Sequence, residues 1–173
     1  MEKVKKTITA LLFTVGILAV SAQNKVGFSF KPYPKSDQAT IANYTITTEK
    51  VNQYMLYQKA VFAAYTPDTK PAPLQTNTID ALINQANTTP SVLKCVKSSG
   101  SNTRDLILTG LSLGILTQAT DTKQQVPFKW SCDHGYCQMP SAEQMAFAKA
   151  HSADMVKWQK QIHEYAEKAM AHS

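Results

Sequence analysis

From residue 47 onward the apolar positions of this chain recur at helical spacing, with no sustained alternation of the kind a strand needs. Val51, Tyr54, Met55, Val61, Phe62 and Tyr65 fall three and four apart on one stripe, which Gln58 interrupts. Thr47 suits the N-cap of that helix, Glu49 complements its first-turn dipole, and Ile46 is placed to staple onto Val51. Thr66-Pro67-Asp68 ends it. Asn77 with Asp80 resembles a capping box and predicts a second helix with Ile79, Leu82, Ile83 and Ala86 inside. Thr89-Pro90 opens a third, where proline at the first helical position loses nothing by lacking an N–H, and Gly100 stops it.

Ser101 or Asn102 caps a fourth helix, whose residues from Leu106 to Ala119 are apolar nearly all round. A helix without a polar face belongs at the centre of a bundle. Gly110 and Gly114 share one face of it, and close approach of another backbone is the expected compensation for their poor helix propensity. Residues 120–140 read as a long loop. Ser141 with Gln144 is a further capping-box signal, and Met145, Ala148, Met155, Trp158, Ile162 and Tyr165 predict one helix from Ala142 to about Met170. The pattern predicts an all-α, single-domain bundle of about five helices over residues 47–173.

Two segments fall outside that pattern. Residues 23–46 carry Lys-Pro-Tyr-Pro at 31–34 and show no helical period, so they read as an extended N-terminal arm packed across the bundle. Residues 1–22 read as a signal peptide: Lys3, Lys5 and Lys6 precede an apolar run from Ile8 to Val20 that ends in Val20-Ser21-Ala22. Cleavage after Ala22 leaves 151 of the 173 residues, one domain in size, destined for the periplasm or for secretion. The apolar run is short for a membrane span, so no transmembrane anchor is expected.

Charge narrows the partners. The cleaved leader removes three lysines and Glu2, which takes the net charge from +6 to +4. The remaining lysines are dispersed and Arg104 is the only arginine, a poor match to the clustered basic face of a nucleic-acid reader. No cofactor motif is present: Cys-x-x-Cys-His is absent, and Gly-x-Ser-x-Gly occurs only as Gly110-Leu111-Ser112-Leu113-Gly114 inside the apolar helical run, without the strand-to-helix turn that exposes a nucleophilic serine.

Three cysteines in an oxidising compartment allow one intramolecular bridge. Cys132 and Cys137 are the favoured pair, because Gly135 lets the short loop between them curl; Cys95 is then a buried thiol. The alternative joins Cys95 to one of the loop cysteines. Cys132, His134 and Cys137, with Cys95 as a fourth donor, also make a candidate copper or zinc site if the thiols stay free. His151 and Met155, four apart, offer a second pair of soft donors, although a methionine there also serves as core filling. Trp130 and Tyr136, in the long loop, are the candidate partner-binding residues.

Short stretches at 45–54 (Thr-Ile-Thr-Thr-Glu-Lys-Val-Asn-Gln-Tyr), 79–82 (Ile-Asp-Ala-Leu), 102–109 (Asn-Thr-Arg-Asp-Leu-Ile-Leu-Thr) and 146–151 (Ala-Phe-Ala-Lys-Ala-His) resemble an uncharacterised family of small exported α-helical proteins of Gram-negative bacteria. The resemblance implies a helical bundle behind a signal peptide. It carries no activity, cofactor or catalytic residue, and the Cys132 to Cys137 loop departs from the family pattern. The expected function is a non-catalytic binding or interaction module, its partner an envelope protein or a small apolar ligand. A metal-handling protein and a hydrolase are the competing classes.

Overall fold

The computed structural model describes residues 32–64, 78–121, 128–133, 135 and 137–171. Among them are eight helices and no strands: α1 Lys35–Ala42, α2 Thr48–Ala63, α3 Ile79–Thr88, α4 Pro90–Ser98, α5 Thr103–Thr120, α6 Phe128–Asp133, α7 Ala142–Ala150 and α8 Ser152–Ala171. None is long and apolar enough to cross a membrane. Residues 1–31, on which the signal-peptide expectation falls, lie outside the described residues.

Local caps set most of the helix starts. Thr47 accepts from the Lys50 N–H, Asn102 from Asp105 and Ser141 from Gln144, each orphan donor of a first turn being satisfied where the sequence placed the cap. At α3 the cap is Thr78 instead of Asn77; its hydroxyl accepts from the Ala81 N–H. The Asp37 carboxylate, from α1, takes the neighbouring Ile79 N–H at 2.9 Å.

α5 is the central element. On one side Leu106, Leu113 and Leu116 join a core with Val51, Tyr54, Met55 and Phe62 of α2, Val96 of α4, Ala148 of α7 and Met155 and Ile162 of α8. On the other side Leu108 and Leu111 join Ile41 of α1 and Ile79 and Leu82 of α3. Two cores on opposite faces account for a helix without a polar side. Gly110 is buried against a ring rather than a backbone: a Cβ there would stand 2.8 Å from the Tyr54 ring.

Three expectations are corrected. Residues 35–42 are helical, not extended. Pro34 stands just before α1, where it is compatible with a helix start, and the helix is held by tertiary bonds that its local sequence does not advertise. The long loop contains α6. The C-terminal helix is two helices, broken at His151, which caps α7 with φ −111° and ψ 24° while its carbonyl accepts from Met155 at 2.8 Å. No proline or glycine stands at this break. Beside it the His151 imidazole is 3.3 Å from the Asp154 carboxylate and packs on Phe147, ring centroids 4.5 Å apart.

Gln58, which interrupts the α2 stripe in sequence, is fully buried, and neither amide atom has a hydrogen-bond partner. The Tyr54 hydroxyl is the polar group beside it, without full hydrogen-bond geometry. Gln144 is buried too, but donates to the carbonyls of Ile41 at 2.7 Å and Tyr44 at 2.8 Å, tying α7 to the link between α1 and α2.

Candidate functional site

The segment that sequence chemistry singled out is closed by a disulfide. α6 carries Cys132 near its end, the chain turns through Gly135, and Cys137 returns so that the two Cα atoms are 4.4 Å apart with their sulfurs bonded. Gly135 has φ +80°, a left-handed conformation that glycine adopts without strain, and its N–H donates to the Cys132 carbonyl at 3.0 Å. Phe128 is buried, with its carbonyl 4.0 Å from the Cys137 sulfur. Outside the turn, the Gln38 amide donates to the Gly135 carbonyl at 3.5 Å and to the Tyr33 carbonyl at 2.7 Å. Tyr33 is itself pushed up to about 12, by burial first and by the Asp37 charge second.

The candidate residues are distributed as follows. Trp130 belongs to α6, two residues before Cys132 and three before Asp133. His134 and Tyr136 lie outside the described residues. Cys95 remains free on α4, buried in the larger core, and burial pushes its thiol above the ordinary cysteine value, with Lys94 opposing weakly. The bridge therefore joins the loop pair and leaves Cys95 out. It also occupies the two sulfurs that soft-metal ligation needs as thiolates. Among the described residues no three His, Cys, Asp or Glu side chains converge as metal ligands. Met155 is buried in the core, and the His151 imidazole lies 3.3 Å from the Asp154 carboxylate.

Two polar clusters were not singled out from sequence. At the start of α5 the Tyr44 hydroxyl donates to Asp105 Oδ1 at 2.6 Å, Asn102 donates to Oδ2 at 2.6 Å, and Lys50 lies 3.8 Å from the carboxylate and 4.2 Å above the Tyr44 ring. The Tyr44 hydrogen bond is the main cause that holds the Asp105 carboxyl below the ordinary carboxylate range, ahead of Asn102, Lys50 and Arg104; burial opposes it. Tyr44 moves the other way, raised by burial and then by Asp105. This group locks the α1–α2 link onto α5.

The second cluster surrounds the break between α7 and α8. Phe147, His151 and Trp158 are half-buried rings, with Phe147 and Trp158 stacked at 6.4 Å, and Asp154 bridges His151 and Lys157. Spacings of four and three between Phe147, His151 and Asp154 were the sequence signal for it. Comparison with protein families, with curated proteins and with solved structures gives no match to this chain.

Proposed function

We propose that the chain is an exported, non-catalytic binding or interaction module of the bacterial envelope, which presents Trp130 and Tyr136 from its disulfide-closed segment to an envelope protein or a small apolar ligand. The supporting observation is the construction of that segment. A covalent bridge joins Cys132 to Cys137, Phe128 is buried, and Gln38 bonds to Gly135, so described residues on either side of the two aromatic positions are tied to the body of the protein. Contact residues held in advance lose less conformational entropy on binding. The polar clusters in the rest of the fold are engaged in helix packing: Tyr44 and Asp105 at α5, Gln144 at α1.

Export rests on the leader before Gln23 and on the resemblance to small exported helical proteins. The experiment is capture of partners by the mature protein from envelope extracts, wild type against a Trp130→Ala/Tyr136→Ala double variant. Loss of a specific partner with an unchanged circular dichroism spectrum supports the proposal. Recovery of the same partner by both proteins contradicts this site.

A further inference from the structure

We infer that the Cys132–Cys137 bridge is a redox-sensitive clasp on α1, so that reducing it loosens one side of the bundle and leaves the rest folded. This inference stands apart from what the segment binds.

α1 has eight residues, and its N-cap, Pro34, supplies no side-chain cap. A helix so short is not stable by its own hydrogen bonds. Its anchors come from elsewhere. The Ile41 carbonyl accepts from Ser112 at 3.1 Å and from Gln144 at 2.7 Å, the Ala42 carbonyl accepts from the Ser141 N–H at 2.9 Å, and Gln38 reaches Gly135. Three of those four partners, Gly135, Ser141 and Gln144, follow Cys132 in the chain. Gly135 is therefore bonded to the middle of α1 and Ser141 to its last residue. The bridge closes the turn that carries Gly135, and opening it returns to that turn the chain freedom that closure had removed.

Both bridged cysteines are half-exposed and within reach of an external dithiol. One thiolate of the dithiol attacks a sulfur of the bridge, forming a mixed disulfide and releasing the other protein sulfur as a thiolate. The second dithiol sulfur then displaces the protein, giving a cyclic disulfide and, after protonation, two protein thiols. The electron pair passes from the dithiol to the bridge. Cys95, buried in the other core, does not enter the exchange. Loss of the Gly135 anchor reaches α3 as well, because Asp37, next to Gln38, caps the Ile79 N–H.

Hydrogen exchange read by mass spectrometry tests this on the full mature protein, oxidised and in dithiothreitol. Peptides covering α1 and the first turn of α3 exchange about fivefold faster on reduction, the scale of one hydrogen bond, while α2 and α8 keep their protection. A Cys132→Ser/Cys137→Ser variant shows the fast pattern without reductant, and Gln38→Leu shows it at α1 while the bridge is intact. Equal α1 exchange in both redox states overturns the inference, as does loss of protection throughout the chain on reduction.

Discussion

Gln144 and Ile41, 103 residues apart in sequence, share a hydrogen bond of 2.7 Å in the interior, and the same amide reaches Tyr44 at 2.8 Å. One side chain thus serves two carbonyls at the point where α1 ends, the Ile41 carbonyl sharing it with the Ser112 hydroxyl at 3.1 Å. Replacing Gln144 by leucine takes this donor from the Tyr44 carbonyl, while the Ile41 carbonyl keeps the Ser112 hydroxyl at 3.1 Å. A loss of about 1–3 kcal/mol is expected in urea unfolding, with an unchanged circular dichroism spectrum in the absence of urea.

Gln58 presents the opposite case, a fully buried amide with neither atom bonded. An unpaired amide in the interior costs stability that an apolar side chain of similar shape does not. Gln58→Met is expected to raise stability by about 1 kcal/mol, read as a higher urea midpoint at constant slope.

Gly110 leaves room for the Tyr54 ring, which a methyl group at that position would meet at 2.8 Å. Tyr54 is buried and cannot swing into solvent. Gly110→Ala is expected to lower stability by about 1–3 kcal/mol despite the better helix propensity of alanine, whereas Ala119→Gly on the same helix costs only about 1 kcal/mol.

The Asp105 carboxyl is held below its ordinary range, chiefly by the Tyr44 hydroxyl. A depressed carboxylate stabilises the fold at full strength above the ordinary aspartate value and loses that contribution as pH falls through its folded value. Stability should therefore drop below about pH 4 more steeply in the wild type than in Asp105→Asn, and the two curves should converge in acid.

At the alkaline end the sign reverses. Tyr33, Tyr44, Tyr54 and Tyr57 are all raised, with burial the first cause in each. Their protons are retained by the folded chain above the ordinary tyrosine value of about 10, so stability falls as pH rises beyond it. Tyrosinate absorbance should report these groups ionising together with unfolding.

What the sequence disclosed and what it hid differ by the range of the interactions involved. Thr47, Asn102 and Ser141 cap their helices through bonds to residues three positions away, so their signals are local and readable. The Cys132–Cys137 pairing was legible for the same reason, with Gly135 marking the turn. α1 was hidden because Ile41, Gln38 and Asp37 are held by Ser112, Gln144, Gly135 and Ile79, all distant in sequence. The break at His151 was hidden because no proline or glycine marks it. Burial of Gln58 was hidden because an amide in a stripe reads as a polar interruption.

The central claim, an exported module with one bridge that fixes its presenting segment, is met most directly by the intact mass of protein taken from the periplasm, with and without alkylation after denaturation. The expected result is the mass of residues 23–173 less two hydrogens, with a single alkylatable thiol at Cys95. A retained leader, or three alkylatable thiols with a metal ion in the native spectrum, would contradict it and make Cys132, His134 and Cys137 a metal site.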